Sequence, residues 1–241
     1  MPSLPPMRLE CVPTTQDVIH ELAEDGAPTG TAVVARSQSG GRGSRGRQWS
    51  APVGGLWLSV LCRPEGEAAI AVLSLRVGLA VAAVLEQDRP GVRVQLKWPN
   101  DLLLSDRKLG GVLCEARWQG GAPAWVAVGV GINVANQLPA ELGPAAIALG
   151  EVVPDILPGA LEAAVLAAVR AAGSAGGGLT RMELSEYSAR DWLLGRGLRM
   201  PLAGTASGLA PDGSLLVRLA DGRTEPVRSG TVELADGAPR S

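Results

Sequence analysis

The sequence predicts a domain built from both helices and strands, followed by a small all-β module. Three observations predict it. Short β-branched or apolar runs recur: TAVVA (31–35), LWLSVL (56–61), VRVQL (92–96) and WVAVGVGINV (125–134). A long apolar run from Ala68 to Leu85 interrupts them at helix length. Beyond Gly195 come short β-like runs parted by Pro211-Asp212-Gly213 and Asp221-Gly222 turns, the pattern of a small barrel. A boundary near Gly195 therefore divides residues 1–194 from 195–241.

Taken in order, Thr14 to Glu24 reads as a helix opened by a threonine cap, with Val18, Ile19, Leu22 and Ala23 at helical spacing. Thr31 to Ala35 is a buried strand running into the glycine-rich stretch SGGRGSRGRQW (39–49), and Leu56 to Leu61 is the next strand. Ala68 to Leu85 approaches the length of a membrane span, but Arg76 near its middle would cost about 2.5 to 3.5 kcal/mol on insertion scales. A buried helix with Arg76 exposed or paired is the better reading. Val92 to Leu96 alternates like a half-buried strand and delivers Lys97-Trp98-Pro99-Asn100-Asp101 at its end. A hairpin follows, from Leu102–Leu104 through a turn at Ser105–Arg107 to Val112–Glu115, and then the strand Trp125 to Val134. Helices are expected around Glu141–Gly150, Pro158–Ala172 and Arg181–Leu194, with a flexible link at Gly173–Gly178.

The composition restricts what this fold can do. With 241 residues, 46% hydrophobic and 19% charged, the chain can bury a substantial core, although 32 glycines and 18 prolines call for many turns. Phenylalanine is absent, so Leu, Val, Ile, Ala and six tryptophans must fill that core. A formal charge of −2 argues against binding nucleic acid by global electrostatics. Cys11, Cys62 and Cys114 are widely spaced, without a CxxC pair and with a single histidine, which indicates neither a disulfide scaffold nor a zinc site and fits a reducing cytoplasm. The prolines of MPSLPPMRLE do not suit a signal peptide, and about a dozen residues before Thr14 cannot hold a helix-turn-helix.

The glycine-arginine stretch carries the strongest chemical signal. Gly41, Gly43 and Gly46 spell GxGxxG, but RQWSAPVGG after them does not continue as the helix a dinucleotide site needs, and no Lys-Ser or Lys-Thr follows to make a P-loop. As an RNA-binding segment, Arg42, Arg45 and Arg47 with Trp49 as stacking platform would be a single short copy; as a plain hairpin loop it would be solvated and inert. Physically, such glycines let backbone N–H groups form an anion-binding nest, and the arginines add forked donors for phosphate or carboxylate. A loop of this kind is expected to move and to order over an anionic ligand.

Lys97, Asn100 and Asp101 offer a cation, an amide and a carboxylate at a strand end, and equally a simple turn. Lys108 precedes Gly110-Gly111, which allow close approach of a ligand to the backbone. Gly129 to Asn133 ends an apolar strand in an amide. Gln38 and the pair Thr14-Thr15 are either local caps or ligand donors. His20 reads as a surface or packed helix residue, and Cys114 as core.

Together TTQD, QSGGRGSRGRQW, GLWLSVLCRP, KWPND, DRKLGGVLCE and GVGINV resemble the biotin protein ligases, from about Thr14 to Asn133, and SGLAPDGSLLV with SGTVEL is similar to their C-terminal module. The resemblance implies an α+β fold, a mixed β-sheet flanked by helices of the class II synthetase type, with a small SH3-like C-terminal barrel. It implies that biotin is activated with ATP and Mg2+ to biotinyl-5′-AMP and passed to one lysine of a biotin carboxyl carrier protein. Lipoate ligation is the alternative within the same fold, and a glycine-arginine RNA-binding protein is the alternative outside it.

By position, Thr14, Thr15, Gln16, Gln38, Gly41, Arg42, Gly43, Ser44, Lys108 and Gly111 fall on biotin, and Arg42, Arg45, Arg47, Trp49, Lys97, Asn100 and Asn133 fall on ATP. Arg42, Lys108 and Asp101 are the implied catalytic groups, Asp101 orienting or deprotonating the incoming lysine. No residue is nominated as a metal ligand. Ser44 stands where the family pattern carries a second arginine associated with retention of the intermediate. No membrane or operator DNA is implied as a partner, and the protein is expected to be a monomer or homodimer.

Overall fold

The computed structural model describes residues 4–235. Seven strands form the first sheet, in the order β1 (Met7–Val12), β2 (Ala32–Gln38), β3 (Leu56–Cys62), β7 (Ala122–Ile132), β6 (Arg107–Gln119), β5 (Asp101–Leu104), β4 (Val94–Lys97). Only β1 and β2 run parallel; every other neighbouring pair is antiparallel, so the sheet is mixed as expected.

The two-residue period of the central strands decides where the cores and the cavity lie. On β3, Leu56, Leu58, Val60 and Cys62 face the larger core; on β7, Val126, Val128, Val130 and Ile132 do the same. That face is covered by α3 (Leu73–Glu86) and α4 (Gly159–Gly173), which contribute Leu73, Val77, Val81, Leu85, Leu161, Val165 and Val169. The opposite face carries α1 (Thr15–Glu24), whose Ile19 and Ala23 pack on Val33, Leu61, Trp125 and Ala127. Farther along that second face the same alternation presents Ser59, Gly129 and Gly131, and small residues there leave room for a ligand.

Several expectations need correction. The apolar run is two helices, α2 (Gly66–Ala71) and α3, parted at the buried Val72 (φ −101°, ψ 0°). Arg76 of α3 takes the paired alternative, as expected: it is buried and donates to Glu183 Oε1 at 2.5 Å and to the Gly178 carbonyl at 2.8 Å. No helix covers Glu141–Gly150; 3-10 turns occupy Ala140–Ala145 and Leu149–Glu151, because Gly143 takes φ 46° and Pro144 lacks an N–H. α5 (Arg181–Ser188) stops six residues before Leu194, and β1 is a strand that the sequence pattern does not announce.

The C-terminal module is a five-stranded antiparallel sheet in the order β11 (Thr224–Val227), β10 (Leu215–Arg218), β9 (Gly204–Leu209), β8 (Gly197–Met200), β12 (Glu233–Leu234). The order is open, with no pairing of β11 to β12 among the described residues, so the expected barrel does not close here. Leu198, Ala206, Leu215 and Val217 join the larger core, and the buried Trp98 donates its indole N–H to the Gly213 carbonyl at 2.9 Å. Hence the C-terminal sheet sits against the strand end that carries Lys97 to Asp101.

Candidate active site

Thr14 caps α1 from an extended backbone, its hydroxyl accepting from Gln16 N at 3.2 Å. That cap turns the start of the helix toward the sheet and buries Thr14, Thr15 and Gln16 together. Thr15 N donates to Gln38 Oε1 at 2.7 Å, and the Thr15 hydroxyl lies 2.8 Å from that of the fully buried Ser59. Gln16 Nε2 donates to the carbonyls of Leu113 at 3.0 Å and Ala127 at 3.4 Å, while its Oε1 is buried without a protein partner. A buried amide oxygen left in this state costs free energy unless something donates to it.

At the other end, β5 and β6 bring Asp101 Oδ1 to 2.8 Å from Lys108 Nζ, both side chains largely buried. Lys108 is held in place from two sides, pairing with Leu103 on β5 while its carbonyl accepts from Ile147 N at 3.0 Å. Its ammonium stands 5.5 Å from the centre of the Trp49 ring, and the Trp49 indole N–H is buried with no protein acceptor. Gly131 lies beneath that ring, and a Cβ there would come within 3.0 Å of Trp49 Nε1. Asn100 Nδ2 is committed to the Val112 carbonyl at 2.9 Å, and Asn133 Oδ1 accepts from Asn136 at 3.2 Å.

These groups surround one cavity of ≈ 230 Å³. Thr14, Thr15, Gln16, Gln38, Arg42, Gly43, Ser44, Arg47, Trp49, Asn100, Asp101, Lys108, Gly111 and Asn133 all line it. Gly41 supports it from behind, since a Cβ there would lie 2.5 Å from the Trp49 carbonyl oxygen. Arg45 and Lys97 line an adjoining cavity of ≈ 200 Å³, walled on the far side by Gly230, Thr231 and Val232 of the C-terminal module. Arg45 takes φ 60° in the turn Ser44–Gly46 and donates to the Thr231 hydroxyl. Burial pulls the Lys97 ammonium below its usual pKa, partly offset by Asp101, and the Trp192 ring lies 5.1 Å away.

Sequence reasoning missed Ser59, Asp17, Glu115 and Thr231. Only Ser59 left a signal, as the one polar residue of an apolar strand. Arg42 faces protein carboxylates: its fork donates to both oxygens of Asp17 at 2.7 and 3.0 Å, and to Glu115 at 3.0 Å. These contacts, the Asp17 hydrogen bond first, raise its pKa further. His20 is packed, and its Nδ1 accepts from the Trp125 indole at 3.0 Å. Burial raises the Cys62 thiol to about 12 and pushes Cys114 up as well, so neither is a ready nucleophile.

A mixed sheet whose cavity brings together buried hydroxyls and amides, a lysine paired with a carboxylate and a cationic glycine loop is a small-molecule site in form. The sequence places it more closely. Residues 9–133 match the biotin/lipoate A/B protein ligase family, and the chain belongs to that family. Residues 198–235 match the biotin protein ligase C terminal domain.

Among relatives, the bifunctional ligase/repressor BirA of Bacillus subtilis is 37% identical over 143 residues, 57% of this chain and 44% of that protein. The biotin–[acetyl-CoA-carboxylase] ligase of Mycobacterium tuberculosis is 37% identical over 153 residues, 59% of this chain and 54% of that protein. The chain thus spans about half the length of the curated relatives it matches. The structure of the biotin protein ligase from Aquifex aeolicus in complex with biotin and ATP superposes with a TM-score of 0.79 at 28% identity, covering 98% of this chain and 99% of that one.

Proposed function

We propose that the protein is a biotin protein ligase, which joins biotin to AMP at the expense of ATP and then passes biotin to a lysine of a biotin carboxyl carrier protein. The observation that carries this reading is the pairing of the cavity's two ends: an unpartnered amide oxygen among buried hydroxyls and amides at one, and the Lys108–Asp101 pair beside Trp49 at the other. The first end suits a neutral ring with N–H and C=O groups, such as the ureido ring of biotin. The second suits a carboxylate meeting a phosphate.

In the first step a biotin carboxylate oxygen bonds to the α-phosphorus of ATP as the bond to pyrophosphate breaks. A carboxylate with pKa near 4.3 is ionised at neutral pH, so no base is needed. The obstacle is repulsion between two anions. Lys108 is suited to lie between them, with Arg45, Arg47 and Lys97 lowering the cost of charge on the departing phosphates. Trp49, Asn100 and Asn133 are assigned to the nucleotide, and Thr14, Thr15, Gln16, Gln38, Gly41, Gly43, Ser44 and Gly111 to biotin. In the second step the carrier lysine must be neutral to attack the acyl carbonyl and expel AMP; Asp101 is the group suited to orient it or accept its proton.

Magnesium is expected with the nucleotide. Among the described residues no three His, Cys, Asp or Glu side chains converge on one point, so the donor set does not fit a protein-built metal site, and no step is assigned to the ion. Residues 1–194 are assigned as the catalytic domain and 195–241 as the C-terminal module. A cytoplasmic protein, monomeric or homodimeric and without a nucleic-acid partner, fits this reading. Among the described residues no helix is long and apolar enough to cross a membrane.

Biotin-dependent exchange of pyrophosphate into ATP tests the proposal. Exchange with biotin and little with lipoate is expected; exchange with lipoate alone would turn the assignment to lipoate, and none with either acid would refute ligation.

A further inference from the structure

The family pattern makes Arg42 a ligand for the substrate anions, yet its guanidinium is already matched inside the protein. Nη1 donates to Asp17 Oδ2, and Nη2 to Asp17 Oδ1 and Glu115 Oε2, all within 3.0 Å. Glu115 is itself held: His20 Nε2 lies 3.3 Å from Oε2, and because His20 Nδ1 accepts from Trp125, the neutral ring carries its proton on Nε2 and donates it to Glu115. Burial first, and the Arg117 charge second, keep the His20 pKa below its usual value. The contact cluster of Arg42, Asp17 and Glu115 therefore has one positive and two negative charges, and an anion brought to this guanidinium would meet two carboxylates. A forked pair extended into a network is the kind of half-exposed ion pair that retains its geometry.

What Arg42 holds is the backbone beside it. Trp49 N donates to the Gly41 carbonyl at 2.8 Å, Gly43 N donates to the Arg47 carbonyl at 2.7 Å, and Arg42 bridges Gln48. Residues 41–43 and 47–49 are thus bonded to one another across the loop, and Trp49 carries the ring over which Lys108 stands. We infer that Arg42 is a positioning residue: Asp17 and Glu115 pin the glycine-arginine loop to α1 and β6 through its guanidinium, setting Trp49 over the cavity, while the substrate anions are met by Lys108 and its neighbouring cations. This deepens the proposed ligase reading and rests on it for the identity of the substrates only.

The test uses Asp17→Asn, Glu115→Gln, Arg42→Lys and Arg42→Met, alone and with Glu115→Gln. Two readouts are taken: trypsin cleavage after Arg45 and Arg47 in protein without added ligand, and KM for biotin and ATP with kcat in pyrophosphate exchange. A pin predicts that Glu115→Gln and Asp17→Asn each speed cleavage and raise the biotin KM several-fold. Arg42→Lys, whose single ammonium cannot serve the fork, moves both readouts the same way. Adding Glu115→Gln to Arg42→Met changes little further.

If removing either carboxylate lowers KM for biotin or ATP, Arg42 has been released to serve an anion and the pin is wrong. Wild-type behaviour of Arg42→Lys in both readouts also overturns it, since charge alone would then suffice. Cleavage needs no catalysis. A wild-type protein inert with biotin would sink the ligase reading, and the cleavage pattern would still decide the pin.

Discussion

Substituting Gly129 by alanine tests the floor of the cavity directly. A Cβ there would stand 3.1 Å from Gln16 Cδ and 3.2 Å from its Nε2, closer than ordinary van der Waals contact. The amide cannot simply swing away, because Nε2 is tied to the Leu113 carbonyl at 3.0 Å and to that of Ala127 at 3.4 Å. Displacing it loses at least one of these bonds, about 1 kcal/mol, and overpacks the site by about 1 to 3 kcal/mol. Alanine recovers about 0.5 to 1 kcal/mol over glycine in a strand. A net destabilisation of about 1 to 3.5 kcal/mol follows, readable in urea melts. If Gln16 Oε1 accepts from the biotin ureido group, its displacement also costs about 1 to 3 kcal/mol of binding, which is about 5- to 150-fold in biotin KM. Gly131→Ala is the control: its Cβ meets Trp49, so ATP KM is expected to rise more than biotin KM. A Gly129→Ala protein with wild-type biotin KM would refute the assignment of Gln16 to the ring.

Three further outcomes are expected. Asp101→Asn should slow transfer from supplied biotinyl-adenylate to the carrier by about a hundredfold or more; an unchanged single-turnover rate removes Asp101 as proton acceptor. Arg76→Met, which removes the cation paired with Glu183 and strands the carbonyls of residues 175, 177 and 178, should cost about 3 to 5 kcal/mol in urea unfolding, and a loss below about 1 kcal/mol would mean that the network relaxes onto water. Asp191 has its carboxyl raised from 3.8 to about 6 by burial, against the Leu193 and Leu194 N–H groups. The folded state therefore binds this proton more tightly than the unfolded chain, so the penalty is full above pH 6 and fades as the pH falls toward 3.8. Asp191→Asn keeps an acceptor for Leu193 N and should stabilise the protein at pH 8 by up to about 3 kcal/mol, with no gain at pH 4 in thermal melts.

Much of the fold was legible because the central strands are apolar and the motif residues are chemically unusual for their places. LWLSVL and WVAVGVGI announce buried strands, and a lone serine or repeated glycine in such a run marks the open part of the face. β1 was hidden because MRLECV lies at the sheet edge with Met7, Arg8, Glu10 and Cys11 exposed, and is held by the backbone of β2 rather than by burial. The stretch 141–150 has helical composition, but one glycine at positive φ and the proline after it outweigh that preference. Site partners were harder. Asp17 on α1 and Glu115 on β6 look like ordinary solvated charges, and nothing local ties them to an arginine 25 and 73 residues away. Thr231 is similarly anonymous until the C-terminal sheet brings it to Arg45.

The glycine-arginine loop lies where α1, β6 and the C-terminal module meet the cavity. Glycines make such a loop costly to order, so contacts must offset the lost freedom. Its three arginines diverge: Arg42 reaches α1 and β6, Arg45 reaches Thr231 of the C-terminal module, and Arg47 turns back, its Nη2 donating to the Ser44 hydroxyl at 3.1 Å. Ser44, where the family pattern carries arginine, thus acts as an acceptor inside the loop and adds no fourth positive charge. Between them these side chains reach Asp17 on α1, Glu115 on β6 and Thr231 of the C-terminal module. In the proposed ligation, contacts of this kind lower the cost of ordering the loop, and the binding energy so spared remains for aligning the two anions.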